Sequence, residues 1–230
     1  MKITWLGHSG FRIEIGNQIL LVDPWLDGNP AFPDDRRAET IAGATAILMS
    51  HGHFDHTGDM LEIARALEIP VVGSFDIVSH WEAAKDIHGV GFNKGGTVQL
   101  GDVKVTMVHA VHSSSLGTDH GPMYAGGEAG FMIAQGGRTI YFSGDTDVMM
   151  DMELFQDLHH PEIGILCCGG HFTMDMARAA YAAKRFFTFK TVIPCHYKTF
   201  PLLEQSAQPL VDALPDVDVK TPEVMETLTL

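Results

Sequence analysis

The residues able to do chemistry are concentrated in one short run, Ser50-His51-Gly52-His53-Phe54-Asp55-His56-Thr57-Gly58. It follows the apolar stretch from Ala44 to Met49, which reads as a buried strand. It precedes a helical period in Met60, Leu61, Ile63, Ala64 and Leu67. His51 and His53 stand two apart, so an extended chain points both imidazoles the same way. Asp55 and His56 lie where the chain turns into helix and can face a second point close by. Gly52 and Gly58 let the backbone bend there at little steric cost. Three imidazoles and a carboxylate within six residues suit zinc-type ions, which take nitrogen ligands at about 2.0–2.1 Å. A histidine-rich surface loop with adventitious metal affinity has no reason to sit at a strand-to-helix junction with an Asp embedded in it.

One such run cannot fill two metal spheres, and three other strand ends carry the right residue types. The strand from Val103 to Val111 runs into His112, that from Thr139 to Phe142 into Ser143-Gly144-Asp145, and that from Thr191 to Cys195 into His196. Each polar residue leaves an apolar strand and precedes a turn, so all three can converge on one sheet edge. An Asp after Gly is by itself usually a turn or cap residue; it gains weight only beside the first run. His109 falls in register with Val103, Val105 and Met107, which predicts a neutral, hydrogen-bonded histidine facing the core.

The elements that must position these residues are short. Strands are expected at 3–6, 11–15, 19–22, 70–73, 97–100, 130–134 and 163–168, with a closing strand within 223–230. Gly16-Asn17 and Gly136-Gly137 read as hairpin turns. Helices are expected at 77–87, 175–187 and 204–214, and a loop at 27–37. Hairpins first, then strands bridged by helices, predict an α/β protein of mixed sheets covered by helices. There is no G-x-G-x-x-G and no P-loop. No linker or repeat divides the chain, so residues 1–230 are read as one domain.

Composition narrows the function. Acidic residues outnumber basic ones 29 to 15, for a net charge of −14, which disfavours nucleic-acid partners and leaves a small molecule as the expected one. The 13 histidines nearly equal Lys plus Arg, a bias towards metal ligands. Three cysteines form no disulfide framework, the opening Met-Lys-Ile-Thr-Trp contains no signal-peptide core, and no apolar run reaches membrane-spanning length. A cytoplasmic protein without a membrane partner is expected; a homo-oligomer is left open.

The H-x-H-x-D-H run, followed in order by separate His, Gly-Asp and His motifs, resembles the metallo-β-lactamase superfamily of dinuclear metal hydrolases. Trp5-Leu6-Gly7-His8-Ser9, Val22-Asp23-Pro24-Trp25-Leu26, Gly28-Asn29-Pro30, His112-Ser113-Ser114 and Phe172-Thr173-Met174 resemble its UlaG-like branch, which includes L-ascorbate-6-phosphate lactonase. The likeness runs from residue 2 to about residue 200. It implies a four-layer αββα sandwich with the site at one edge of two mixed sheets. It implies one metal on His51, His53 and His112, a second on Asp55, His56 and His196, and Asp145 bridging both. Asp23 matches the superfamily's first Asp, which would orient a ligand imidazole; a turn residue before proline is the competing reading.

His171 departs from the branch pattern, in which Asp, Tyr or Asn is usual; it is a candidate general acid or phosphate donor, or a solvent-facing loop residue. His8 is expected to hydrogen-bond neighbouring loops. The implied reaction is attack by a metal-bound hydroxide on a small lactone, ester, amide or phosphoester, with Asp55 holding the nucleophile and relaying a proton. Zn²⁺ is the default pair of ions, and Mn²⁺ or Fe²⁺ accept the same donors. A tRNA-processing type of nuclease and a non-catalytic metal-binding module are the alternatives. The loops at 27–43 and 113–129 are expected to line the pocket.

Overall fold

Period-two alternation decides which side each strand of the first sheet shows. In the computed structural model of the protein, which describes residues 1–230, β1 (Lys2–Trp5), β2 (Phe11–Ile15) and β3 (Gln18–Val22) form an antiparallel meander. Two short connecting helices, α1 (Arg37–Ile41) and α2 (Phe54–Thr57), flank β4 (Ala46–Met49). Together β4, β5 (Val71–Ser74) and β6 (Gly89–Phe92) extend the sheet in parallel. Phe11, Ile13 and Ile15 enter the main core, whereas Arg12 and Glu14 are only partly covered. Ala46 and Leu48 join that core, while Ile47 and Met49 pack on the other side. There they meet Met60, Ile63 and Ala64 of α3 (Met60–Leu67) and Ile77 and Val78 of α4 (Phe75–Lys85). Covered on both faces, β4 has to be apolar at every position.

The second sheet begins with β7 (Thr97–Leu100) and β8 (Val103–His109). A detached hairpin, β9 (Ser115–Thr118) with β10 (Gly121–Tyr124), intervenes before β11 (Ala129–Gln135) and β12 (Arg138–Phe142). Strands β13 (Ile163–Cys167), β14 (Thr191–Cys195) and β15 (Asp218–Val219) then add in parallel to β12. Two helices, α5 (Asp151–His159) and α6 (Met176–Phe186), cover its outer face through Met152, Phe155, Ala179, Ala183 and Phe186. After α7 (Gln208–Ala213) the last strand, β16 (Thr227–Thr229), returns to pair with β1. The result is two seven-stranded mixed sheets face to face between helices, the four-layer αββα arrangement expected. No helix is long and apolar enough to cross a membrane.

Strands β3, β4, β8, β12 and β14 all end at one edge, where loops from both sheets are tied together. Ala129 N–H donates to the Ser50 carbonyl at 3.0 Å, and Gly52 N–H donates to Ser114 Oγ at 3.1 Å. Gly144 turns the chain out of β12 at φ +59°, and a Cβ there would sit 2.3 Å from the Ala129 carbonyl oxygen. Only glycine fits this turn, and it delivers Asp145 to the edge.

Several expected bounds shift. The helix expected at 77–87 is Phe75–Lys85, and the one expected at 204–214 contracts to Gln208–Ala213. The loop expected at 27–37 ends in a 3-10 turn, Asp34–Arg36, that leads into α1. β6 and the β9–β10 hairpin were not expected, because Gly89, Gly91, Gly117 and Gly121 dilute their strand pattern. α5 escaped because Leu154 and Leu158 face solvent while Met152 and Phe155 are buried, which blurs the apolar period.

Candidate metal centre

The strand-to-helix junction after β4 does what its spacing demands. His51 leaves the strand buried, and His53 precedes the single turn of α2, whose Thr57 N–H donates to the His53 carbonyl at 3.0 Å. His51 Nε2 and His53 Nδ1 come within 3.0 Å of each other. His112, three residues past β8, completes a trio whose ligating nitrogens lie within 4.8 Å of one another. The turn of α2 carries Asp55 and His56 to the opposite side, where they meet His196 from the end of β14. Asp145 lies between the two groups. Its Oδ2 is 3.0 Å from His196 Nε2, 3.3 Å from His56 Nε2, 3.6 Å from His112 Nε2 and 4.0 Å from His51 Nε2. The structure thus gathers all seven expected ligands, His51, His53, Asp55, His56, His112, Asp145 and His196.

Hydrogen bonds behind the cluster set the tautomers. Asp23 is fully buried and accepts from Ser50 N–H at 2.8 Å, from the Ser50 hydroxyl, and from His56 Nδ1–H at 2.8 Å. The Ser50 hydroxyl has one proton and gives it to Asp23, so it accepts from His51 Nδ1–H at 3.0 Å. One carboxylate therefore turns the Nε2 atoms of both His51 and His56 towards Asp145. Of the two readings of Asp23, the orienting one describes its contacts. His8 does the same for Asp55: its Nε2–H donates to Asp55 Oδ2 at 3.0 Å, and its Nδ1 accepts from the Thr199 hydroxyl at 2.9 Å. Both of its nitrogens are thereby engaged. His8, Asp23 and His196 all hold positive φ without being glycine.

Electrostatics follow from burial and charge. Burial, with His56 close by, holds the His51 imidazolium well below the usual histidine range, and burial likewise lowers His53 and His112. These three are neutral donors. Burial and the neighbouring His196 push His8 down to about 4. Burial alone would lower His56 too, but Asp145 and Asp23 outweigh it and hold the imidazole well above its ordinary value. Asp145 and Asp55 run the other way. Burial favours their neutral forms, yet His196 and His56 hold the first, and His8 and His56 the second, well below the carboxylate range.

The residues fit a divalent cation by their own unmet bonding. His56 Nε2, Asp145 Oδ1 and His196 Nδ1 are buried without a hydrogen-bond partner, and each such atom costs about 1–3 kcal/mol if nothing satisfies it. The first two belong to the converging ligand set, where a cation would satisfy them. The acidic group Asp27, Asp59 and Glu62 differs, since all three pair with Arg37.

The cluster floors a cavity of about 620 Å³ walled by Phe54, Phe172, Phe200, Pro201 and Leu202. Here the structure corrects three expectations. His171 does not line this cavity; it is exposed, its ring packs edge-on to Phe172, and it borders a separate depression with Gly170, Leu203 and Glu204. Phe172, not His171, lines the cavity, and His171 holds a positive φ of 24°. The 27–43 loop stays away from the cavity, and of 113–129 only Ser113 reaches it. His109 is not a core residue: β8 runs past the layer that covers Met107, so its half-exposed ring meets Asp151 at 2.8 Å. The aromatic wall was missed although Phe172-Thr173-Met174 stood among the motifs. Ser50 and Thr199 gave no signal, because a hydroxyl shows its role only through its neighbours. No cysteine competes as nucleophile: all three are buried, and burial with Asp145 nearby pushes Cys167 up to about 12.

Two mixed sheets sandwiched by helices, with a His/Asp cluster at their shared edge, define a metallo-β-lactamase-fold protein. A family profile described as "Beta-lactamase superfamily domain" matches residues 2–196. The chain belongs to this superfamily and, within it, to the UPF0173 metal-dependent hydrolases. A UPF0173 metal-dependent hydrolase of Dinoroseobacter shibae is 69% identical over 230 residues, 100% of both chains. Igni18, a metallo hydrolase from the archaeon Ignicoccus hospitalis, superposes with a TM-score of 0.87 at 29% identity, covering 99% of this chain and 97% of its own. YhfI of Bacillus subtilis, a metallo-β-lactamase fold protein 16% identical, shares the fold (TM-score 0.75; 99% of each chain).

Proposed function

We propose that the chain is a dinuclear hydrolase of small lactones, esters, amides or phosphoesters, in line with the UlaG-like motifs. One ion would be held by His51, His53 and His112, the other by Asp55, His56 and His196, with Asp145 between them. The observation that carries this reading is the pair of ligand groups flanking Asp145, with His56 Nε2 and Asp145 Oδ1 buried and unpartnered. Imidazole with carboxylate suits Zn²⁺ first and accepts Mn²⁺ or Fe²⁺. Bound ions of this kind supply Lewis acidity and lower the pKa of coordinated water.

The protein's own part is orientation and proton transfer. Asp55 lines the cavity, and its Oδ2 is pinned by His8, so the carboxylate is held in one pose. From there it takes a proton from an attacking water and returns it to the leaving group. The nuclease alternative is disfavoured, since no Lys or Arg lines the cavity. A cytoplasmic setting without nucleic-acid or membrane partners remains part of this reading, in keeping with three unpaired cysteines.

Reconstitution with Zn²⁺, Mn²⁺ or Fe²⁺ followed by elemental analysis should give about two ions per chain, and a screen of lactones, β-lactams, thioesters and phosphodiesters should reveal the substrate class. Asp55→Asn should lower turnover more than it raises KM. Protein that takes up no metal, or an Asp55→Asn variant with wild-type turnover, overturns the mechanism.

A further inference from the structure

Beyond the metal-holding residues, the cavity is lined by Phe54, Ser113, Phe172, Phe200, Pro201 and Leu202, so five of six side chains are apolar. Three of them stand well out into solvent: Phe54 is 68% exposed, Leu202 65% and Phe172 51%. Large apolar side chains held at the mouth of a cavity mark a surface that something covers. Behind them Trp25 packs against both Phe54 and Phe200, with ring centroids 5.6 and 5.8 Å away, so the wall is braced. A braced aromatic wall selects its ligand by shape and apolar area.

Charge points the same way. Recognition of a phosphate or carboxylate far from the metals needs a guanidinium, an ammonium or a helix N-terminus. None is offered. The basic residues nearest in sequence to the cavity wall are engaged elsewhere: Lys198 faces Glu223 at 3.8 Å, and Arg178 donates to Asp147 at 2.7 Å. The carboxylate of Glu128 accepts from His112 N–H at 2.9 Å, adding negative charge close to the site. The net charge of −14 also repels anions during approach.

We infer that the substrate is a neutral molecule whose acyl portion carries an alkyl or aryl group laid against Phe54, Phe172, Phe200 and Leu202, and that phosphorylated or carboxylated substrates are rejected. This rests on the hydrolase reading above and narrows it, setting the chain apart from a lactonase of sugar phosphates. The reaction remains hydrolysis: water adds across the acyl–oxygen bond, the acid keeps the new oxygen and the alcohol leaves with a proton.

The test uses the metal-loaded protein and para-nitrophenyl esters of acetate, butyrate and hexanoate, with the ester of glutarate, which keeps a free terminal carboxylate. The value of kcat/KM should rise about fourfold per methylene until the wall is filled, as expected for burial of each CH₂. The carboxylated ester should fall at least about tenfold below the neutral ester of matched length. Phe172→Ser and Leu202→Ser, both at exposed positions, should flatten the chain-length dependence while metal content stays unchanged. Binding is measured separately by ligand-detected NMR with methyl pentyl ketone, which cannot be hydrolysed, against a methyl ketone of matched length ending in a carboxylate. If no ester is cleaved yet the neutral ketone binds preferentially, hydrolysis of simple esters is refuted, while the preference of the cavity for an uncharged apolar group stands. If esters are cleaved with equal or greater preference for the carboxylated one, or with no dependence on chain length, the inference is overturned while hydrolysis stands.

Discussion

Replacing Asp23 with Asn removes one negative charge from behind two imidazoles and leaves the shape almost unchanged. Asp23 sits at φ +45°, a conformation Asn tolerates and Ala does not, so Asn is the informative substitution. The native carboxylate accepts from Ser50 N–H, from the Ser50 hydroxyl and from His56 Nδ1–H, all buried. An amide keeps one acceptor, which the Ser50 N–H can retain, and turns an NH₂ towards His56 Nδ1. Both would then be donors, so His56 must shift its proton to Nε2, the atom facing Asp145 at 3.3 Å. Loss of one charge-assisted hydrogen bond should lower the stability of metal-free protein by about 1.5–3 kcal/mol. For a chain of this size that is a fall in Tm of roughly 3–12 °C.

Outer hydrogen-bond partners of metal ligands typically contribute 10–100-fold in affinity, about 1.4–2.7 kcal/mol. The lost charge also lowers the His56 pKa and so weakens proton competition for the site. The net loss should therefore lie near the lower end, about tenfold. Competition with a chromophoric chelator measures the affinity, and thermal melts with and without chelator measure the stability. A folded Asp23→Asn variant that binds metal as tightly as wild type would refute the tautomer argument.

Metal binding should release about one proton per chain near neutral pH, because His56 is held above its ordinary pKa and a cation must displace that proton. Titration calorimetry in two buffers of different ionisation enthalpy measures it; apparent affinity should rise with pH until the folded pKa of His56 is passed. In metal-free protein the same group stabilises the fold fully below its unfolded pKa, and that contribution should fade as pH rises through the raised folded value. His171→Ala should leave kcat/KM within about twofold of wild type, as for an exposed residue outside the cavity. A loss much beyond that on any substrate would return His171 to the mechanism. His109→Ala should cost less than about 1 kcal/mol in stability, since it removes only a half-exposed pair with Asp151. A larger loss in chemical denaturation would show that His109 is structural after all.

The metal-binding potential of the chain was legible in its sequence because ligand chemistry is local. His51, His53, Asp55 and His56 lie within six residues, and a strand-to-helix junction fixes their relative directions. His112, Asp145 and His196 were legible for a related reason: each is a polar residue just past an apolar strand, and parallel strands bring such ends to one edge. The order of hairpins and helix-bridged strands gave mixed sheets covered by helices, and the four layers came from the resemblance to the superfamily. What the sequence could not decide are quantities set by neighbours remote in the chain. Asp23 and Ser50 stand 27 residues apart, and His8 and Thr199 stand 191 apart. Which imidazole nitrogen carries its proton depends on those meetings. The register of β8 pointed His109 at the core, yet where the covering layer stops is a property of packing. Likewise, Phe172 and His171 are adjacent, and only the folded path of their loop decides that an aromatic ring, not an imidazole, walls the cavity.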